Sequence, residues 1–244
     1  MSFPFDLTLL EVIFIAVLLF VSSAVQGVLG FGFAVIASPI IVQINPNLVP
    51  QLLALLGLPI ALRVFFREKE SVDLSKVKPL IVGRLVGGPI GLLLLLNLSE
   101  KYLSIAVGVI VLVAGLGSFF GWVINRNKLN SFLAGTFSGI FGMVAAVGGP
   151  PVALLYRNTK SEEFRPSLNS VFSIGILITL SLLVLSGNLF MDHLLLFVLF
   201  LPFVLIGVRI SSSIFSKFSD SFIAASVTYF SVLSGLYVIL RNLN

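Results

Sequence analysis

The chain of 244 residues contains no cysteine and a single histidine. Without cysteine there is no disulfide, thiolate metal site or sulfur nucleophile. With one histidine besides, a zinc site of the usual kind cannot be assembled. Charge is scarce too: Asp, Glu, Lys and Arg make up 10% of the residues, against about 25% in a soluble domain. A globule of this size with so few charges would not stay dispersed in water. Apart from Asp6 and Glu11, near the start of the first apolar run, every carboxylate lies between runs, which argues against a relay of buried acids. His193, beside Asp192, falls in a short connection and reads as a solvated residue. No Gly-x-Ser-x-Gly elbow, phosphate-binding Gly-x4-Gly-Lys loop or dinucleotide fingerprint is present. No nucleophile–base pair sits in an apolar run either, so the chain does not read as an enzyme, and no cofactor is expected.

What is there is mostly apolar: 58% hydrophobic residues. That composition specifies an all-α polytopic membrane protein, because a helix satisfies its own backbone groups in lipid. The first run starts too near the terminus, extends too far and lacks the basic leader needed for a signal peptide. A hydrocarbon core about 30 Å thick takes about 20 helical residues. By that ruler there are eight spans: Leu9–Ile44, Pro50–Phe66, Pro79–Leu96, Tyr102–Ile124, Asn130–Tyr156, Pro166–Ser186, Leu194–Phe215 and Phe222–Leu240. The first is too long for one upright helix and must tilt, turn back or cross twice. The net charge of +5 sits mostly in short connections such as Arg67–Lys78, Arg126–Lys128 and Arg157–Arg165. There it meets lipid headgroups, and nucleic acid is not indicated as a partner. Over eight crossings the basic residues place both termini in the cytoplasm, as expected of a cell-membrane protein.

Two small-residue ladders share one spacing. Ser23-x3-Gly27-x2-Gly30-x8-Pro39 recurs about 112 residues later as Gly135-x3-Gly139-x2-Gly142-x8-Pro151, each inside a long apolar run. Glycine and proline weaken helices. In lipid such breaks persist only where protein or a wet cavity satisfies the freed N–H and C=O groups. The chain therefore divides into two membrane repeats, residues 1–125 and 126–244, in one integral membrane domain. Parallel and inverted arrangements of the repeats both remain open, as does a homo-oligomer. Two breaks in corresponding places point to a central site for a small anion, bound by backbone N–H groups. The candidates are Gln26, Gly27, Gly30, Gly32, Ser38 and Pro39 in the first break. In the second they are Ser138, Gly139, Gly142, Gly148, Gly149, Pro150 and Pro151. Such ladders also serve plain helix packing.

Two cations lie inside runs, Arg84 in the third and Arg209 in the seventh. A cation at mid-helix costs roughly 2.5–3.5 kcal/mol on insertion scales. Each therefore either faces an anion pathway or snorkels to a headgroup. Asn169 and Ser170 line a cavity or bond across helices.

The paired motifs resemble those of the TauE/SafE sulfite-exporter family of membrane permeases. Gly27, Gly30, Gly32 and Pro39 match in the first half, and Gly135, Gly139, Gly142 and Pro151 in the second. Phe33, Ala34 and Met143–Ala146 stand where the family carries glycines, and Ser23 replaces a leading glycine. The resemblance extends over nearly the whole chain. It implies a secondary transporter of sulfur-containing anions such as sulfite or sulfonates. The alternative is a membrane assembly subunit that uses the same ladders only to pack.

Overall fold

The computed structural model describes residues 3–68, 72–157, 159 and 161–243. Lys69, Glu70 and Ser71 of the charged connection, and Lys160 after the second break, lie outside the described residues. The described residues form helices α1 (Leu9–Leu29), α2 (Phe33–Ile44), α3 (Gln51–Glu68), α4 (Leu74–Asn97) and α5 (Glu100–Phe119). They continue with α6 (Lys128–Ala145), α7 (Gly149–Tyr156), α8 (Ser161–Leu185), α9 (Met191–Ile214) and α10 (Asp220–Leu243), and contain no strand.

Among the described residues, seven helices are long and apolar enough to cross a membrane, against the eight spans expected. The fifth expected span is not among them. Its residues divide into α6, where Lys128, Asn130, Ser131, Thr136 and Ser138 dilute the apolar run, and the eight-residue α7. The first apolar run divides likewise, into α1 and the 12-residue α2. At 1.5 Å per residue, α2 spans about 18 Å and α7 about 12 Å, too short to cross alone.

Several helices begin before their expected starts. Proline is tolerated near the start of a helix, so Pro79 and Pro166 sit inside α4 and α8 and do not open them. Side chains cap several N-termini. Thr8 and Glu11 form a capping box on α1, Asp73 accepts from the Ser75 amide at α4, and Asn127 accepts from the Asn130 amide at α6. The Ser75 hydroxyl also bonds to Asp73 and holds that carboxyl below the usual range.

The outer surface is apolar. On α1, Leu10, Ile13, Phe14, Val17 and Val21 are exposed, while Val12, Ile15, Ala16, Leu19 and Ser23 on the opposite face are buried. A soluble monomer does not expose apolar area on this scale, but lipid covers it. Inside, helices meet through glycine. A Cβ on Gly83, Gly87 or Gly135 would overlap a backbone oxygen of the facing helix, so α4 and α6 touch main chain to main chain. α5 meets α10 the same way at Gly108 and Gly235, while on the seam of α1 and α9 Gly27 meets the Ser211 side chain and Gly207 the Ser23 side chain and the Phe20 carbonyl.

His193 corrects an expectation. It lies in the first turn of α9 and is fully buried. Its Nδ1 accepts from the Phe190 amide at 3.1 Å, so Nε2 carries the proton and donates to the Asn47 carbonyl at 2.9 Å. The imidazole also packs on Phe5 and Phe190. It pins the start of α9 to the turn at Pro46–Leu48 and meets no solvent.

Candidate functional site

Both apolar runs are interrupted by a residue in the left-handed conformation. α1 ends at Gly30, with φ 81°, and its amide donates to the Gln26 carbonyl at 2.8 Å. Gly32, with φ 116°, then precedes α2. α6 ends at Ala146, with φ 59°, and Gly148 precedes α7. An L-residue with a Cβ is strained there by about 1–2 kcal/mol, so Ala146 occupies a position that suits glycine better.

Residues around both interruptions border one cavity of about 60 Å³. By the same measure a single water needs about 10–15 Å³, so the cavity has room for a small anion. Gln26, Gly32, Ala34 and Val35 border it from the first interruption, and Gly142, Ala146, Gly148 and Gly149 from the second. Leu53, Phe172, Ile176 and Thr179 close its sides from α3 and α8.

Arg84 reaches this cavity from α4. It is 3% exposed, and its Nε and Nη1 atoms have no hydrogen-bond partner. No carboxylate pairs with it among the described residues. Three glycines make room for its guanidinium: a Cβ on Gly142 would lie 2.7 Å from Nη2, one on Gly148 3.2 Å from Nη1, and one on Gly175 would fall within the group itself. An unpaired buried cation is strongly unfavourable unless a counter-charge joins it. Arg84 is therefore a buried cation with no counter-charge among the described residues, facing a hollow.

A model of the sulfite exporter TauE/SafE family matches residues 14–238 of the chain. The chain belongs to the TauE/SafE family. It is thus a multi-pass membrane permease of a family of sulfur-anion exporters. No curated protein and no solved structure matches it.

Of the residues the motifs single out in this TauE/SafE chain, six border the cavity: Gln26, Gly32, Arg84, Gly142, Gly148 and Gly149. The Gln26 side-chain oxygen accepts from the Phe33 amide at 3.1 Å, bridging the first interruption and leaving the amide nitrogen as a free donor end. The others do not border it. Gly27 packs on Ser211 of α9, and Gly139 on Gly88 of α4. Ser138 donates to the Gly148 carbonyl and so shapes the second interruption from behind. Ser38 and Pro39 are buried inside α2, and the interruption lies seven residues before Pro39, at Gly32. Pro150 and Pro151 face a different, larger cleft. Arg209 is on the exposed side of α9, away from the cavity.

Gly30 is not a donor site, because its amide is spent on the Gln26 carbonyl, and Asn169 of α8 takes up its carbonyl. Asn169 Nδ2 donates to the Gly30 carbonyl at 3.2 Å, and Arg165 Nη2 donates to the Gly27 carbonyl at 2.9 Å. The negative end of α1 is thus neutralised by a cation on α8. The residues at the start of α2 that border the cavity, Phe33, Ala34 and Val35, lie in the first turn of a helix, where amides have no intrahelical partner. Arg165 had been placed in a connection; α8 begins at Ser161 and carries it. Gly175, Phe31, Phe172 and Thr179 belong to no motif. Only the glycine at Gly175, one turn after Val171 on a buried face, carried any local signal.

Proposed function

We propose that this permease is a secondary carrier of a small sulfur-containing anion, working by alternating access around the cavity at Arg84. The observation that carries this reading is the buried guanidinium with unpartnered N–H groups, set where residues around both interruptions converge. The guanidinium supplies the charge. The α2 amides and the Gln26 side chain supply neutral hydrogen bonds, and a bound anion replaces its lost water with these groups.

The helix pairings support reading residues 1–125 and 126–244 as two related halves. Each half begins with a long helix that ends in a left-handed residue and is followed by a short one. α4 of the first half packs on α6 of the second, and α9 of the second on α1 of the first; α5 packs on α10, and α3 on α8. This pattern is unchanged when the halves are exchanged. In the proposed cycle the halves rock across these seams and expose the cavity to each side of the membrane in turn.

Flux of labelled sulfite and sulfonates into proteoliposomes tests the proposal. The wild-type chain should transport at least one of them. Arg84→Gln, which keeps most of the volume and removes the charge, should lower the rate about tenfold or more, since charged hydrogen bonds contribute about 1.5–3 kcal/mol. Absence of flux for every such anion, in protein that melts cooperatively, would overturn it.

A further inference from the structure

The charge balance of the cavity narrows the substrate further. Among the residues that border it, Arg84 is the only one with a titratable side chain: no Asp, Glu, His, Lys or Tyr is present. Arg165, the nearest other cation along α8, does not border it, and its guanidinium is engaged by the Gly27 carbonyl at 2.9 Å. The site therefore offers one positive charge.

Neutral donors are also few. A helix start normally presents several free amides, and a dense set of amides can hold a doubly charged oxyanion without any cation. Here the set is thinned twice. Pro150 and Pro151 stand at the second and third positions of α7 and have no N–H to give. At the start of α2 the Phe33 amide is taken by Gln26. Apart from the Gln26 and Thr179 side chains, the side chains of the wall are hydrocarbon and aromatic, from Leu53, Ala54, Phe172 and Ile176.

We infer that the cavity selects singly charged anions over doubly charged ones, hydrogensulfite over sulfite among them, and takes best a monoanion with a small apolar end, of the short alkylsulfonate kind. This rests on the reading of the cavity as the anion site. A monoanion neutralises Arg84 and leaves the hollow without net charge. A dianion would bury one uncompensated negative charge among apolar walls, which low local polarity makes strongly unfavourable. A methyl group in place of one oxygen would lie against Phe172 or Ile176 in place of water.

Methanesulfonate and sulfate test this, because they are close in shape and differ in charge. Titration calorimetry on the full chain in lipid nanodiscs, at constant ionic strength, should give a dissociation constant for methanesulfonate lower than that for sulfate by about tenfold or more. Sulfite, which passes between its singly and doubly charged forms near neutral pH, should bind more tightly as the pH falls through that range. Methanesulfonate binding should stay flat, since no bordering side chain titrates there. Sulfate binding as tightly as methanesulfonate, or sulfite binding more tightly as the pH rises, overturns the charge selection and leaves the anion-carrier reading intact. If methanesulfonate, sulfate and sulfite all fail to bind to monodisperse, cooperatively melting protein, both readings fall.

Discussion

Arg84 fits because Gly175, Gly142 and Gly148 have no side chains. That dependence gives opposite signs for stability and transport. In Gly175→Ala the new methyl must displace the guanidinium, while alanine favours a helix interior by about 1 kcal/mol over glycine. The variant should keep a melting temperature near or above wild type and lose transport by about tenfold or more, as flux and thermal melts read side by side would show. The cavity was partly legible in the sequence. Gln26, Gly32, Gly142, Gly148 and Gly149 stand in a repeated local pattern, and Arg84 is a lone cation in an apolar run. Phe31, Phe172 and Thr179 were invisible, because an aromatic or a threonine in a membrane helix looks the same on any face until packing decides. Ser38 and Pro39 were misread because proline spacing was taken for the break itself, whereas the positive φ at Gly30 and Gly32 makes it earlier.

The ladders that mark the interruptions also serve the seams between helices, and the two roles fall on different residues. Gly142 borders the cavity, while Gly135 and Gly139 of the same ladder press on α4. On α4, neighbouring glycines test the seam. A methyl on Gly87 would overlap the Thr136 carbonyl of α6, whereas one on Gly88 would meet only the ends of Leu182 and Ile178 at 3.2 and 3.3 Å. Gly87→Ala should therefore cost about 1–2 kcal/mol net, overpacking outweighing the gain in helix propensity. Gly88→Ala should be neutral or better, as chemical or thermal unfolding in detergent would show. Helix existence was readable from apolar length alone. Helix starts were not, because the ruler treated proline as a boundary where the fold admits it inside, and His193 was placed outside a helix whose first turn it completes.

A second hollow lies beside the first. Besides the cavity at Arg84, a cleft of about 960 Å³ opens between α6–α7 on one side and α5–α10 on the other. Phe31 and Val35 border both, and Phe31 packs edge-on against Phe164 with ring centres 6.1 Å apart. Phe31 and Val35 thus stand between the cavity at Arg84 and the cleft. Because the chain has no cysteine, one introduced thiol reports on one place. Ala54→Cys in the cavity should react slowly with a charged, membrane-impermeant thiol reagent. Adding Phe31→Ala should speed that reaction about tenfold or more, as expected when an aromatic plug of this size leaves a gap that water can enter. Equal rates would mean that Phe31 closes nothing. No local pattern in the sequence announces the cleft, since it exists only through the distance kept between helices far apart in the chain.

That distance is uneven between the halves. α2 packs against both α5 and α10, whereas the cleft keeps its counterpart α7 from α10. If the halves are inverted copies of one another and the proposed cycle holds, each already displays the posture its twin would assume at the other end of that cycle. Lending α7 the posture of α2, and α2 that of α7, would draw a second portrait of the molecule with its mouth on the far side. The molecule would then carry, in its own lopsidedness, a blueprint for its opposite shape.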